Sequence, residues 1–143
     1  MAIKQIDYNT IEYKKMVALR DEILRKPIGL QFSNEDLAKD ELDLLLAAFD
    51  DDEILACCIL SEINATTIRL RQMAVKRNQQ GKGVGHSVII FAENLARDRG
   101  YKRLMMHARE SAIGFYEKQG YNAIGERFFE VTLPHFEMEK KLG

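Results

Sequence analysis

A chain of 143 residues with 46% hydrophobic and 30% charged residues is long enough for one domain with a real core and too apolar for disorder. Its 21 basic and 22 acidic residues leave a formal net charge of −1, interspersed along the chain, which argues against a nucleic-acid partner or an anionic membrane surface. The start lacks the apolar stretch of a secretory leader and no run approaches the roughly 18 apolar residues of a span, so no membrane partner is expected and the expected compartment is the cytoplasm.

Ile3 to Tyr8 alternates weakly and predicts a first strand. Asn9 and Glu12 have capping-box spacing ahead of a helix whose apolar positions include Met16, Leu19 and Ile23, and Pro27 with Gly29 ends it. Ser33 with Asp36 opens a second short helix reaching about Glu41. Asp43 to Phe49 and Glu53 to Ser61 are apolar runs split by Asp50-Asp51-Asp52. They read as two antiparallel strands joined by a solvated turn, because a calcium loop needs Gly and Glu at later fixed positions. Cys57 and Cys58, neighbours in one strand, face opposite sides and are expected as buried small hydrophobes. His86, His107 and His135 lack metal-ligand spacing, so no metal is expected.

Asn64 with Ala65 turns the chain into a strand from Thr66 to Val75. A helix from about Gly83 to Arg99 follows, with Val84, Val88, Phe91, Ala92 and Leu95 as its apolar stripe and Gly100 suited to its C′ position. Arg103 to Ala108 predicts a strand, and Ser111 caps or lies in the first turn of a short helix ending at Gly120. Tyr121 to Gly125 and about Phe136 to Lys141 supply two last strands. With no repeat, low-complexity tract or linker, residues 1–143 are expected to be a single α/β domain. The helix from Gly83 would cross over right-handed between parallel neighbours.

Between the strand at Val75 and that helix lies Gln80-Gly81-Lys82-Gly83-Val84-Gly85. The first N–H groups of a helix lack intrahelical partners and carry its positive dipole end, which makes a strand, glycine turn and helix start a phosphate-binding arrangement. Gly81, Gly83 and Gly85, lacking Cβ, allow φ > 0 and close approach of a phosphate. Lys82 is followed by Gly83 rather than a hydroxyl residue, which excludes a Walker A loop. Counting five positions on from Gly81 meets His86, and five on from Gly83 meets Val88, where a dinucleotide fingerprint needs glycine. What remains is Gln-x-x-Gly-x-Gly, realised by Gln80, Gly83 and Gly85. It resembles the acetyl-CoA pyrophosphate loop of the GNAT superfamily of N-acetyltransferases.

About 30 residues downstream, Ala112-Ile113-Gly114-Phe115-Tyr116-Glu117-Lys118-Gln119-Gly120-Tyr121 is similar to the superfamily's other cofactor segment, Ala-x-x-x-Tyr-x-x-x-Gly-aromatic. The resemblance implies a mixed, mostly antiparallel sheet of six to seven strands flanked by about four helices. It implies an N-acyltransferase taking acetyl from acetyl-CoA to an amine acceptor, with a non-catalytic acetyl-CoA sensor as the alternative. By the same resemblance the backbone of Met73, Ala74 and Val75 pairs with the pantetheine amides, and Gln80 through Gly85 hold the pyrophosphate, Gln80 and Lys82 with side-chain help. Tyr116 protonates or hydrogen-bonds the departing thiolate, and Ala112 leaves room for the cofactor. Many members carry asparagine seven residues before the tyrosine; here Arg109 stands there and is a candidate cofactor or acidic-substrate contact. Superfamily members often dimerise, so a homodimer is allowed.

The general base is set by no motif. An alkylamine near pKa 10.4 is only about one part in 10³ neutral at pH 7, a penalty of roughly 4 kcal/mol that a base removes. Candidates are Glu62, His107, Glu126, Glu130 and His135, with His107 first because it ends the strand before the Tyr116 helix.

Overall fold

A computed structural model describes residues 1–143. In chain order the elements are β1 (Ala2–Ile6), α1 (Ile11–Arg20), α2 (Asn34–Ala38), β2 (Leu44–Asp50), β3 (Glu53–Glu62), β4 (Thr67–Val75), α3 (Val84–Asp98), β5 (Arg103–Arg109), α4 (Ile113–Glu117), β6 (Asn122–Glu130) and β7 (Leu133–Lys141). The strands form a seven-stranded sheet in the order β1-β2-β3-β4-β5-β7-β6. The expected mixed α/β architecture is the one observed. No helix is long and apolar enough to cross a membrane. The chain clusters into two compact units, residues 1–61 with 71–92 and residues 62–70 with 93–143.

In the first unit β2 pairs antiparallel with β1 and β3. Ile6, Leu45, Ala47, Phe49, Cys57, Ile59 and Ala74 form a core with Tyr13, Met16 and Leu19 of α1. The residues between them, Leu46, Ala48, Cys58 and Leu60, are equally buried, which is why these strands read as continuous apolar runs. Both thiols are free, and burial pushes that of Cys57 up to about 12. The turn is narrower than expected: Asp50 pairs with Glu53, leaving Asp51 and Asp52 at the bend, with Asp51 at φ +52.

The cap of α1 is Thr10, not Asn9. Thr10 is extended and its hydroxyl accepts from the Tyr13 N–H at 3.2 Å, whereas Asn9 sits at φ +59. Beyond Arg20 the helix loosens into one π turn, closed by the Lys26 N–H on the Asp21 carbonyl, and then a 3-10 turn containing Pro27, before Gly29 (φ +73) ends it. Ser33 and Asp36 make the expected capping box, but α2 stops at Ala38.

That early stop frees Asp40, which is fully buried. Its Oδ2 accepts from the Tyr13 hydroxyl (2.6 Å) and the Arg20 guanidinium (2.7 Å), and its Oδ1 accepts from Arg71 (2.8 Å). Arg71 also donates to Asp43 (2.6 Å) and Ser61 (2.8 Å), and the Ser61 hydroxyl donates to Asp43. Burial alone would raise the Asp40 carboxyl, but the bonds from Tyr13, Arg20 and Arg71 hold it below the usual carboxylate range.

In the second unit β5 runs parallel to β4, from Thr67↔Arg103 to Leu70↔Met106, and antiparallel to β7. The last two strands are longer than expected. They close a hairpin through Val131 and Thr132, both at positive φ (+45 and +67). No glycine or asparagine marks this turn, so its sequence signal is missing. Between the pairs Ile124↔Glu137 and Phe128↔His135, β6 has three residues, Gly125, Glu126 and Arg127, where β7 has only Phe136, and Gly125 lies at φ +73 in this bulge.

The buried face of α3 differs from the expected stripe. Val88, Ile89, Ala92 and Ala96 are fully buried together with Glu93, while Phe91 and Leu95 are only half-buried. Glu93 accepts from the Tyr121 hydroxyl (2.8 Å) and from Lys140 (3.0 Å), which also donates to the Gln119 carbonyl. Gly100 ends the helix at φ +88, as its sequence position implies.

Asp40→Asn should cost about 3–5 kcal/mol in denaturant unfolding, because two buried guanidinium groups lose their shared anion. Since the folded carboxyl titrates below the unfolded one, this contribution is fully present above about pH 4 and is lost as pH falls through the folded value. The acid limb of the stability curve should therefore flatten in the variant. Val131→Asn with Thr132→Gly should raise stability by about 1–2 kcal/mol, read as a higher melting temperature, by relieving β-branched residues at positive φ.

Candidate active site

At the end of β4 the Lys76 N–H donates to the Leu55 carbonyl (2.8 Å), and one 3-10 turn, Arg77–Gln79, carries the chain outward. Gln80 then folds its side-chain amide back onto the Val75 carbonyl (3.0 Å). This amide ties the loop to the end of the strand. Gly81 and Gly83 adopt φ +77 and +83, with nothing within 4 Å of where a Cβ would lie. Gly85 does not share this conformation: it lies within α3 and is buried. The Gly83 carbonyl accepts from the Ser87 N–H and hydroxyl, so the first turn of α3 begins at Val84, beside the two left-handed glycines and the exposed Lys82.

Within β4, Ala74 is buried in the core while Met73 and Val75 are half-buried. Gln72, one position earlier, has φ +54, a left-handed backbone in the middle of a strand. The Cys57 thiol lies 3.7 Å from its carbonyl. The Gln72 Oε1 atom is buried with no hydrogen-bond partner. Sequence reasoning gave no hint of this residue, since glutamine at a strand position carries no signal for positive φ.

Tyr116 is buried in α4 and packs edge-to-face on Phe115 (5.1 Å) and Tyr121 (6.0 Å). Ala112 stands at the helix start with no side-chain cap, and Ser111, the expected cap, lies in the preceding 3-10 turn.

Three of the five candidate bases converge. His107 on β5 places Nδ1 at 3.0 Å from Glu130 Oε1 on β6 and at 3.2 Å from the Arg69 guanidinium on β4. His135 on β7 places Nε2 at 3.8 Å from the other Glu130 oxygen. Its Nδ1 donates to the Leu133 carbonyl (2.8 Å), which fixes the proton there in the neutral ring. Phe128 packs on both imidazoles. Burial raises the Glu130 carboxyl, but the His107 bond and the charges of His107, Arg69 and His135 outweigh it and hold the group below the ordinary glutamate range. Arg109 shares the region: burial lowers its pKa and the Glu130 charge opposes that. Glu62 instead accepts from the Tyr101 hydroxyl (2.6 Å), and Glu126 is exposed in the β6 bulge. The alternation of Arg69 and Arg71 along β4 was a signal that one strand face carries charge, but their partners lie too far along the chain to be read.

A mixed seven-stranded sheet with a parallel central pair, a glycine loop ahead of the crossover helix and a tyrosine on the next short helix define an acyltransferase fold of GNAT type. The sequence matches the family described as acetyltransferase (GNAT) domain over residues 12–142; the chain belongs to this family. It is 30% identical over 73 residues to the N-acetyltransferase YjcF of Bacillus subtilis, a match covering 50% of this chain and 52% of that protein. The chain thus spans about half the length of that relative. The fold is similar to that of a GNAT family acetyltransferase from Elizabethkingia anophelis with acetyl-CoA bound (TM-score 0.75, 20% identity, 99% and 97% of the two chains). An aminoglycoside 6′-N-acetyltransferase complexed with coenzyme A is also similar (TM-score 0.82, 16% identity, 99% and 97%).

In a carbon-detected titration the Glu130 carboxyl should ionise below a free glutamate, and His107→Phe should move it back upward. An unchanged titration in that variant would separate the two groups in solution.

Proposed function

We propose that this chain is an acyl-CoA-dependent N-acyltransferase that moves acetyl from acetyl-CoA to a primary amine of a small molecule or peptide by direct attack. The observation that carries the reading is the loop itself, with Gly81 and Gly83 left-handed immediately before the N-terminus of a 15-residue helix. On this reading Gly81 to Gly85 cradle the diphosphate through backbone N–H groups, Lys82 adds charge, and Gln80 holds the loop against Val75. The backbone of Met73, Ala74 and Val75 receives the pantetheine amides as an added strand, and one N–H there polarises the thioester carbonyl. Ala112 makes room for the arm.

His107 takes the amine proton. Its contact with Glu130 stabilises the imidazolium that forms, as a carboxylate orienting a histidine base does elsewhere. The amine nitrogen then bonds the thioester carbon, the carbon–sulfur bond breaks, and the Tyr116 phenol hydrogen-bonds or protonates the departing thiolate. A phenol near pKa 10 protonates a thiolate near 8.5 only against the gradient, so hydrogen-bond stabilisation is the larger share of its effect. Arg109 faces the cofactor or an anionic group of the acceptor. The cytoplasm is the compartment in which this reading places the reaction.

Thermal-shift screening with acetyl-CoA, longer acyl-CoAs, ATP and NAD tests the donor: acetyl-CoA should raise the midpoint and the nucleotides should not. Tyr116→Phe should lower kcat about 10²-fold with little change in KM for acetyl-CoA. Acetyl-CoA binding without turnover on an amine panel, unchanged by Tyr116→Phe, would instead make the chain a sensor.

A further inference from the structure

Gln72 combines two unfavourable features. Its backbone is left-handed inside a strand, which costs a non-glycine residue about 1–3 kcal/mol. Its side-chain Oε1 is buried without a donor, a second cost that a native structure rarely leaves standing without a use. Its carbonyl accepts from the Cys57 thiol at 3.7 Å. A buried acceptor with no donor is a place prepared for an N–H or O–H that arrives with a ligand.

The position along the chain says which ligand. β4 runs toward the glycine loop, so a carrier whose diphosphate sits at Gly81 to Gly85 lays its arm back past Val75, Ala74 and Met73. The thioester at the far end of that arm comes to Gln72, where the attacking nitrogen must also arrive. We infer that Gln72 Oε1 accepts a hydrogen bond from the nitrogen undergoing acylation and thereby selects primary amines over secondary amines and alcohols.

The proton count makes the selection. A neutral primary amine has two N–H bonds; on forming the amide it gives up one proton, which ends on the departing sulfur, and keeps the other. The retained hydrogen can stay on Gln72 Oε1 from attack to product. A secondary amine or an alcohol surrenders its only hydrogen, which leaves the buried oxygen without a donor in the transition state and in the product. A site built to receive a hydrogen bond discriminates strongly against a ligand that cannot supply it.

The inference rests on the proposed acyl-CoA reading, and a binding experiment separates the two. The probes are coenzyme A, and two bisubstrate compounds in which its sulfur carries CH2–C(O)–NH–propyl or the N-methyl counterpart, each titrated calorimetrically into the wild-type chain and Gln72→Leu. The wild type should bind the N–H compound about tenfold more tightly than the N-methyl one, the value of one hydrogen bond. In Gln72→Leu the two should bind alike, coenzyme A should bind as before, and the melting temperature should rise because the orphan oxygen is gone. Equal affinities in the wild type, or a preference that persists in Gln72→Leu, would overturn the role of Gln72 while leaving the acyl-CoA reading intact. Failure of coenzyme A itself to bind the wild type would overturn both.

Discussion

The second half of β4 depends on one buried carboxylate. Asp40 draws Tyr13 and Arg20 from α1 and Arg71 from β4 onto a single pair of oxygens. Replacing such a network by apolar residues often costs nothing, so its value lies less in stability than in position. Here the position matters because Arg71 is the residue before Gln72. A guanidinium held by Asp40, Asp43 and Ser61 leaves the next residue little freedom, and the core packing of Ala74 fixes the strand on the other side. Backbone strain persists only where its surroundings over-determine it. The left-handed Gln72 is over-determined in this way.

Two buried or half-buried carboxylates in the chain are satisfied to different degrees. Asp40 receives a donor at every turn and has no proton to exchange. Glu130 stands between two imidazoles and a guanidinium, a set whose bonding changes whenever one proton moves. The first arrangement is structural in its chemistry, and the second has the composition of a proton-handling site. Burial does not distinguish them; the partners do.

Local signals carried most of the fold. Periodicity and glycine placement located the strands around Ala47, Cys57 and Ala74, the crossover helix and its end at Gly100, because those features depend on neighbours in sequence. The loop was legible for the same reason: a left-handed turn before a helix needs glycines at Gly81 and Gly83, and the spacing names them. The misses share the opposite cause. Asn9 looked like a cap, yet Thr10 stands at that helix start, because one residue of backbone geometry outweighs side-chain chemistry. Val131 and Thr132 turn a hairpin against their own preference, held by strands that pair regardless. Glu93 faces the interior only because Tyr121 and Lys140, distant in sequence, arrive to meet it. Of the five acidic or imidazole groups weighed as a base, three converge for a reason of topology: the β6–β7 hairpin that carries Glu130 and His135 pairs through β7 with β5, the strand of His107, from which α4 separates it in the chain.

The ring nitrogen at the centre of that convergence has two claimants. Arg69 can only donate, so its 3.2 Å contact with His107 Nδ1 is a hydrogen bond when that nitrogen is bare. Glu130 can only accept while ionised, so its 3.0 Å contact is a hydrogen bond when the same nitrogen carries the proton. One proton at one atom therefore decides whether His107 is tied to β4 or to β6. With the proton on Nδ1, Nε2 is bare, and a second proton placed there would leave the bond to Glu130 intact while setting a cation beside Arg69. With the proton on Nε2, Nδ1 is bare, Arg69 donates to it and Glu130 has no hydrogen on that atom to accept. Glu130 and Arg69 thus compete for one ring atom from nearly equal distances, and the position of a single proton selects which strand holds the imidazole.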